Sequence, residues 1–471
     1  MRRERIKTVL LAFLVVMNFV LGSKILIDKK LWSGGYNFFS AMGNLNITKL
    51  YTNIVNYFTD SDSYKTTVLS PIRIIINTDD QTTRISLNSA DYGYDALLNE
   101  ANTIIKAAFS AGESDMSQIT KKELYSSLTS GSVYLDFSRN VASGLYCGLF
   151  GAGDYPILNT VKEFSDVIIV HSPRTLVYFA DTDSETFYKI NVSKNSDELK
   201  SAAEECEKRN GGENSPIINY SFDLKFDSPF GTQKTTLNPF IQVYSTVDTQ
   251  PVIYAKNPVS NSSQGFINDE LIKEILKTFD INYNAMRRYT ETGGTLVFVE
   301  NNAILKIEKN GFLEYSAIDG GIELSSAQSD YANLVSIAHM ALNINRAVGN
   351  DYGVSLVQSA ESEKNTFTFD YTVGGLPVII DGERAKNAVE ATVENGRLTS
   401  YRQIIRKYGV LNSNSSPREF FTALDNVIAD YSEYMNEIYI DKMYIGYTDS
   451  LSDGEITADW IVKVDNIVAN E

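Results

Sequence analysis

The sequence predicts an α+β fold in which a single N-terminal transmembrane helix precedes three extracytoplasmic α+β domains. The first observation behind this prediction is an apolar stretch, residues 8–27, that follows a basic cluster. The second is the rest of the chain, where runs rich in Val, Ile, Tyr and Phe alternate with segments of helical apolar spacing. The third is a hairpin signal that occurs twice and suggests that the last two domains are related.

Residues 8–27 are long enough to cross a membrane as one helix. Thr8 to Ser23 contains no charged residue, and apolar residues resume after Lys24 as far as Ile27. This length, at ~1.5 Å per residue, matches a hydrocarbon core of ~30 Å. The basic residues among positions 2–7 predict a cytoplasmic N-terminus, so that the body of the chain lies outside the cell membrane.

A cleaved signal peptide has the same basic start and apolar stretch, and it is the alternative to an anchor. Cleavage needs small residues in an A-x-A-like pattern, of which Val20-Leu21-Gly22 is a poor version. A lipoprotein would need a cysteine here, and residues 1–30 contain none. The sequence therefore favours an uncleaved signal-anchor and a single-pass membrane protein.

Asn18 is a polar residue inside this apolar stretch. A carboxamide in lipid gains from a hydrogen bond to a neighbouring helix, although such bonds contribute under ~1 kcal/mol on average. A single Asn is also tolerated in so apolar a span, and both interpretations stay open. The hypothetical partner-contact residues of this helix are Asn18, Phe13, Met17 and Gly22.

The acidic composition disfavours nucleic-acid binding. The net charge is −17, although the first 30 residues carry seven Lys or Arg against two acidic residues. The rest of the chain is therefore strongly acidic, and no basic stripe follows Lys30. Contacts with nucleic-acid phosphates need a stripe or patch of clustered Lys and Arg, and the sequence after Lys30 shows no such pattern.

The sequence lacks the common metal, cofactor and nucleophile motifs. Its two histidines, His171 and His339, do not have the spacing of a zinc site. No phosphate-binding glycine loop and no GxSxG motif occurs. We expect no catalytic residue, no metal and no cofactor. Cys147 and Cys206 do not make a disulfide framework, and whether they pair stays open.

One acidic pair resembles a catalytic motif. Asp181 and Asp183 follow a predicted strand, as the nucleophile and the acid of an aspartyl phosphotransferase would. That motif needs Thr or Val two residues after the second Asp, where this chain has Glu185. A polar loop between two strands is therefore the favoured interpretation.

The elements predict a division of the chain into successive segments. Helices are expected at 94–109, 268–279 and 326–348, and the sequences Thr120-Lys121-Lys122-Glu123 and Ser416-Pro417-Arg418-Glu419 each predict the start of another. Residues 220–226 are expected to form a strand. The segments are a cytoplasmic tail at 1–7, the transmembrane helix at 8–27, a juxtamembrane segment at 28–66 and domains at 67–215, 216–350 and 351–471.

A weak internal repeat connects the second and third domains. IEKNGFLEY at 307–315 and VENGRLTSY at 393–401 both place Asn-Gly between a short strand and a strand that ends in Tyr. Asn-Gly is the strongest local signal for a tight hairpin. The match predicts two related α+β domains in tandem.

The layout of these pieces resembles the YycH family of membrane-anchored accessory proteins over nearly the whole chain. The third domain is similar to the related YycI-like C-terminal fold. The segment SKILIDKK departs from the Trp- and Thr-rich exit that the family would lead one to expect. The resemblance lies in RRERIKTVLLAFLVV, the pair Leu31-Trp32, SPIRIIIN, YTETGGTLVFVENNAILKIEKNGFLEY, FDYTVGGLPVI, VENGRLTSY and IYIDKMYIGY with EITADWIVKV.

The resemblance implies a regulatory protein without enzyme activity. Proteins of this family act beside the sensor histidine kinase of the Gram-positive two-component system that controls cell-wall metabolism. The implied partners are that kinase, a second YycI-like accessory protein and the membrane. Contacts would run through the transmembrane helix and the extracytoplasmic domains.

Two other functions stay open from the sequence. The chain could be an exported protein that binds a wall polymer or a small ligand in a pocket between domains. It could also be a surface enzyme that uses Asp181 and Asp183.

Overall fold

A computed structural model describes residues 68–465, with internal gaps. The predicted tail, transmembrane helix and juxtamembrane segment lie outside the described residues. No helix within the described ranges is long and apolar enough to cross a membrane. The described residues belong to one compact unit. The gaps are at 79–83, 130, 152, 154, 172–173, 183, 211–215, 260–268, 285, 301, 325–328, 350–351, 361–364, 433–434 and 436.

A seven-stranded antiparallel sheet is built from the first part of the described chain, with helices on it. Its strand order is β2-β1-β4-β5-β6-β7-β3. The elements are β1 (Arg73–Asn77), β2 (Arg84–Leu87), α1 (Tyr94–Phe109), β3 (Met116–Gln118), α2 (Lys121–Leu128), β4 (Ser132–Ala142), α3 (Ser143–Cys147), β5 (Glu163–Val170), β6 (Thr175–Asp181), β7 (Thr186–Val192) and α4 (Asp197–Asn210).

The second part of the described chain begins with short strands and contains the first half of a larger sheet. Ser329 caps the N-terminus of its long helix, because the Ser329 side chain accepts a hydrogen bond from the backbone N–H of Ala332. The elements are β8 (Ile218–Tyr220), β9 (Thr236–Leu237), β10 (Gln242–Tyr244), β11 (Gln250–Lys256), α5 (Asp269–Thr278), β12 (Arg287–Thr290), β13 (Leu296–Glu300), β14 (Ala303–Ile307), β15 (Phe312–Ala317), β16 (Ile322–Glu323) and α6 (Asp330–Ala347).

The third part completes the larger sheet, which has 13 strands in the described ranges. Its main path is β12-β13-β14-β15-β21-β20-β18-β19-β23-β25, and β22-β11-β24 form a separate small sheet. The elements are β17 (Gly353–Ala360), β18 (Asn365–Val373), β19 (Leu376–Ile380), β20 (Val389–Glu394), β21 (Arg397–Ile404), β22 (Lys407–Ser415), α7 (Phe420–Ser432), β23 (Tyr439–Asp449), β24 (Gly454–Ile456) and β25 (Asp459–Asp465).

The predicted mixed α+β class is confirmed. Helix α1 occupies the predicted residues 94–109 and buries its apolar stripe, including Leu97, Ile104 and Ile105, against the first sheet. Helix α2 begins where the capping sequence predicts, because the Thr120 side chain accepts a hydrogen bond from the backbone N–H of Glu123 at 3.3 Å.

Two local predictions are wrong. Residues 221–227 form consecutive turns, because the Asp223 carboxylate accepts the backbone N–H of Tyr220 at 2.9 Å and closes the chain on itself. Helix α7 begins at Phe420 and not at Pro417. The preceding Arg418 is held against β25, since its carbonyl accepts the indole N–H of Trp460 at 2.9 Å.

Both Asn-Gly sequences form hairpin turns, as predicted. Gly311 has a φ of +93°, and a Cβ there would lie 2.6 Å from the carbonyl oxygen of Ile405. Asn395 and Gly396 have φ values of 51° and 72°, the combination that a two-residue hairpin loop requires.

The strands of the internal repeat lie side by side in the sheet. β15 pairs with β21 in antiparallel register, so that Tyr315 stands opposite Tyr401, its counterpart in the repeat. The larger sheet therefore crosses the predicted boundary at 350/351. The three-domain division stays a prediction, and the described residues add that its second and third segments share one sheet.

A buried ion pair connects the small sheet to the large one. Arg406 lies between β21 and β22, and its guanidinium donates to both carboxylate oxygens of Asp449, at 2.9 and 3.1 Å. Both side chains are fully buried. Tyr408 donates to the same carboxylate at 2.7 Å, and Arg406 also donates to the carbonyl of Ser452. These bonds satisfy the charges inside the core, which an isolated pair would not achieve.

We expect Asp449→Asn to destabilise the fold by about 3–5 kcal/mol, because it removes the fully buried carboxylate and leaves the Arg406 guanidinium with only the half-exposed carboxylate of Asp453 as an ion-pair partner. Urea unfolding of the full chain measures the effect. The matched control is Glu437→Gln, since Glu437 pairs with Lys234 at the surface, where both side chains are at least half exposed. That control should cost less than about 1 kcal/mol. Equal losses in the two variants would contradict the structural role of the buried pair.

Candidate functional site

A partly open cavity of about 840 Å³ lies between the first sheet and the larger sheet. One wall comes from the chain before β1, the first turns of α1 and the bulged part of β4. The other wall comes from β17, the hairpin between β18 and β19, β22 and β23. Its lining includes Ser70, Pro71, Tyr94, Ser138, Arg139, Tyr352, Gly353–Val357, Asp370, Gly375, Tyr408 and Tyr444.

A β-bulge in β4 places Arg139 at the cavity. The register between β4 and β5 shifts between Asp136 and Val141, and Ser138 has a φ of +54°. Bulges of this kind turn a side chain away from the regular pleat. The Arg139 guanidinium donates to the carbonyls of Phe137 and Ser70, at 3.2 and 3.3 Å.

The Arg139 guanidinium uses only some of its hydrogen-bond donors. Its Nε atom is buried and has no hydrogen-bond partner among the described residues. Burial lowers the pKa of Arg139 to about 10, and the electrostatic influence of Tyr94 and Asp370 works in the opposite direction. The nearby carboxylate of Asp136 is engaged elsewhere, because it accepts from Arg73 at 2.7 Å.

Asp370 is the carboxylate of the opposite wall. It lies in β18, and 7% of the residue is exposed. The backbone N–H of Ala388 donates to the carboxylate, whereas the Oδ1 atom has no hydrogen-bond partner in the described ranges. Burial raises the pKa of Asp370 to about 7, against the opposing effects of the Ala388 bond and of Arg139.

Tyrosines surround these two charges. The Tyr94 hydroxyl donates to the carbonyl of Pro71, and the Tyr408 hydroxyl donates to Asp449. Burial raises the pKa of Tyr444, with Asp370 as the next largest cause, so its hydroxyl stays neutral. The site therefore offers neutral hydroxyl groups, one incompletely bonded cation and one incompletely bonded carboxylate.

A glycine closes the rim of the cavity. Gly375, in the turn between β18 and β19, has a φ of +82°. A Cβ atom there would lie 2.3 Å from Oδ1 of Asn88 and 2.7 Å from the backbone nitrogen of Ala90. The hairpin between β18 and β19 therefore packs against the loop after β2 so closely that only glycine fits at position 375.

The acidic pair that resembled a catalytic motif does not form a site in the described residues. Asp181 ends β6, and its carboxylate accepts the backbone N–H and the hydroxyl of Ser184, at 3.2 and 2.5 Å. Asn140 also donates to it, at 3.4 Å. Asp181 thus stabilises the turn between β6 and β7, as the polar-loop interpretation expects. Asp183 lies outside the described residues.

Cys147 and Cys206 are both free and buried. Burial raises the pKa of Cys147 to about 12, so its thiol is not activated. In the part of the chain that the structure describes, no group of three or more His, Cys, Asp or Glu side chains is arranged to hold a metal ion.

The hypothetical partner-contact residues of the transmembrane helix, Asn18, Phe13, Met17 and Gly22, lie outside the described residues. The cavity residues Arg139 and Asp370 were not among the sequence candidates. Asp370 has a sequence signal, since it stands in an apolar strand, FTFDYTV, where a charged residue is unusual. Arg139 has no such sequence signal, because the bulge in β4 sets the direction of its side chain.

The fold defines the protein as a mixed α+β protein with a cavity between two sheets. Its structure is similar to that of YycH from Bacillus subtilis, with a TM-score of 0.54. The similarity covers 86% of this chain and 96% of that one, at 13% sequence identity. The chain therefore has a YycH-like fold. No family model matches the sequence, and no curated protein matches it significantly.

We expect the stability of the protein to depend on pH through Asp370. Its carboxyl has a folded pKa near 7 and an ordinary value of 3.8. The neutral carboxyl therefore stabilises the fold fully below about pH 4, and this contribution is lost as the pH rises through about 7. Relative to the unchanged protein, Asp370→Asn should gain about 2–3 kcal/mol between about pH 5 and about pH 8. Urea unfolding at each pH measures this gain.

Asp166→Asn is the matched control for this measurement. Asp166 is also buried, and burial raises its pKa to about 6. The gain in the free energy of unfolding of Asp166→Asn, relative to the unchanged protein, should therefore be nearly complete by about pH 7. The gain of Asp370→Asn should continue to increase above that pH. Identical pH profiles for the two variants, or a flat profile for Asp370→Asn, would contradict the assignment.

Proposed function

We propose that this protein is a membrane-anchored accessory regulator of a sensor histidine kinase that controls cell-wall metabolism in a Gram-positive bacterium. The observation that carries the proposal is the YycH-like fold over 86% of the chain. The sequence resemblance to the same family, which includes the N-terminal segment, adds to it. The protein acts as a regulator and not as an enzyme.

The proposed location is the cell membrane. Residues 8–27 form a single-pass anchor with a cytoplasmic N-terminus, and the body of the chain is extracytoplasmic. The partners are the kinase and a second, YycI-like accessory protein, contacted through the transmembrane helix and the extracytoplasmic domains. The acidic composition is consistent with protein partners and not with nucleic acid.

Regulation of a kinase has an energetic requirement. A partner shifts an equilibrium between two kinase states only if it binds one state more tightly than the other. Each tenfold difference in affinity shifts the equilibrium by about 1.4 kcal/mol. A single hydrogen bond through Asn18 supplies under ~1 kcal/mol on average, so the remaining contacts of the transmembrane helix and those of the extracytoplasmic domains must add to it.

A second candidate function is favoured by the cavity. An exported protein that binds a small ligand needs a concave site with a few convergent polar groups, and such sites usually have 300–1,000 Å³. The cavity of about 840 Å³ with Arg139 and Asp370 in its walls meets that description. The two functions are compatible, since a ligand-binding body can belong to a regulator.

We expect the transmembrane segment to be required for regulation. Replacing residues 8–27 by an unrelated apolar span of equal length should change kinase output, because the specific helix contacts are lost while the anchor remains. A transcriptional reporter of the kinase measures output, and surface labelling of the body measures display. The matched control is Val16→Leu, which preserves the apolar character of the span and should leave output unchanged.

The point variant Asn18→Leu tests the polar contact within the same experiment. It should lower crosslinking from the neighbouring Met17 position to the kinase and shift output in the same direction as the complete replacement. Unchanged output from the replaced span, with display intact, would show that the helix contact is wrong. A ligand-dependent rise in melting temperature combined with that result would favour the binding-protein function.

A further inference from the structure

Arg139 has hydrogen-bond donors to spare in the wall of the cavity. Its guanidinium donates to the carbonyls of Phe137 and Ser70, and a guanidinium has more N–H groups than these two bonds use. Among the described residues, no carboxylate lies within 4.0 Å of it as an ion-pair partner. Arg139 lines the cavity and is partly exposed. The wall therefore contains a cation that the described part of the chain leaves without an ion pair.

Asp370 belongs to the opposite wall, on one face of the larger sheet. It stands opposite Ser355 of β17, so the two side chains share this face, and both residues line the cavity. The Oδ1 atom of Asp370 is buried and has no hydrogen-bond partner in the described ranges. Burial raises the pKa of Asp370 to about 7. Below that pH the neutral carboxyl carries a proton, which it can donate in a hydrogen bond.

The Tyr444 hydroxyl lies near both of these groups. Asp370 raises its pKa and Arg139 lowers it, so the charges of both side chains reach it. Burial is the largest influence and raises the pKa further, which keeps the hydroxyl neutral and able to donate. The hydroxyl makes no hydrogen bond with the described residues, and Tyr444 lines the cavity. One cation and two groups that can donate thus border the same space.

The other titratable groups around the cavity do not cancel the charge of Arg139. Arg73 and Asp136 form an ion pair with each other at 2.7 Å. Asp95 of α1 also lines the cavity, but it is exposed, so water and salt screen its charge. Burial raises the pKa of the lining tyrosines and keeps them neutral; these are Tyr94, Tyr352 and Tyr408. With Asp370 in its neutral form, the interior of the site is therefore positive.

We propose that the cavity binds a small organic carboxylate with an apolar body. The carboxylate of the ligand accepts hydrogen bonds from the guanidinium of Arg139, the hydroxyl of Tyr444 and the neutral carboxyl of Asp370. Hydrogen bonds to an ionised group are roughly twice as strong as those between neutral groups. This inference rests on the small-ligand function, the second candidate above, and names its ligand class. It does not depend on the regulatory role.

The remaining lining suits an apolar ligand body. The rings of Tyr94, Tyr352 and Tyr408, each residue at most 7% exposed, form part of the walls. Aliphatic side chains such as Leu98 and Leu356 form another part. Apolar walls with a few convergent polar groups are the usual form of a small-molecule site. A ligand that combines one carboxylate with a short hydrocarbon body matches both parts of this lining.

The experiment is calorimetric titration of the full-length protein in lipid nanodiscs with 3-phenylpropionate, and empty nanodiscs give the blank. The matched probes are 3-phenylpropionamide, which lacks the charge, and L-phenylalanine, which adds an ammonium group. We expect 3-phenylpropionate to bind with a Kd below ~1 mM. The amide should bind roughly tenfold more weakly or worse, since it loses the charge-assisted bonds. Phenylalanine should also bind more weakly, because its ammonium group adds positive charge to a positive site.

The affinity should depend on pH through Asp370, whose neutral carboxyl donates to the ligand and whose ionised form repels it. The affinity for 3-phenylpropionate should therefore fall roughly tenfold between about pH 6 and about pH 8, while that for the amide does not. Asp370→Asn keeps an N–H donor and cannot ionise, so its affinity should stay constant over this range. Asp166→Asn is the matched control, because Asp166 is buried with a pKa of about 6 but does not line the cavity. It should retain the fall.

Two further positions test the other donors. Arg139→Gln should lower the affinity for 3-phenylpropionate roughly tenfold and change that for the amide much less. Arg139→Lys keeps the charge and should retain part of the affinity. Tyr444→Phe keeps the ring, removes one donor and should lower the affinity by roughly threefold to tenfold. Arg384→Gln is the control, because Arg384 pairs with Glu308 at the surface and does not line the cavity.

Several outcomes would overturn the proposal. One is the absence of 3-phenylpropionate binding at about 1 mM by protein whose melting temperature shows it to be folded. Another is an affinity that stays constant or rises between about pH 6 and about pH 8. Equal binding of the amide, or tighter binding of phenylalanine, would reject the ligand class and keep the small-ligand function. The amide and phenylalanine test the bonds on the unchanged protein, so a variant that fails to fold does not decide the result. None of these outcomes bears on the kinase reporter experiment.

Discussion

The fully buried pair of Arg406 and Asp449 is the interaction on which the arrangement of the sheets depends. A guanidinium in the core must be matched by a carboxylate and by further acceptors, because the cost of desolvation otherwise exceeds the attraction. Asp449 ends β23 of the large sheet, and Arg406 directly precedes β22 of the small one. The pair therefore fixes the two sheets to each other and holds Tyr352 and Tyr408, which bond to Arg406 and Asp449, where they line the cavity.

The cavity lies between two features that face each other, the bulge in β4 and the polar face of β18. The bulge in β4 turns Arg139 out of the pleat, and the polar face of β18 carries Asp370. A polar strand face normally contacts water, but here the first sheet covers it, so Asp370 is 7% exposed. Buried ionisable groups either pair with an opposite charge or shift their pKa towards the neutral form. Arg73 and Asp136 form a pair, whereas burial lowers the pKa of Arg139 and raises that of Asp370.

A regulator with a ligand site would link two equilibria. If a ligand alters the affinity of the body for a kinase, the kinase must alter the affinity for the ligand by the same factor. Such linkage needs an element with two arrangements, and the Gly375 hairpin, which contacts Asn88 and Ala90 at backbone distance, connects the two walls of the cavity. The two walls of the cavity are therefore in direct contact at this hairpin.

The sequence by itself determined the class of the fold and the features that depend on neighbouring residues. Helix α1, the cap at Thr120 and the two Asn-Gly turns follow from local spacing and turn chemistry, and the structure has them where the sequence predicts. The anchor at 8–27 is a prediction of the same local kind. Only the tertiary structure decided that Tyr315 pairs with Tyr401, that residues 221–227 fold into turns, and that Arg139 and Asp370 share a cavity. Those features depend on contacts between residues far apart in the chain, and no local pattern of side chains specifies which sheet faces will meet.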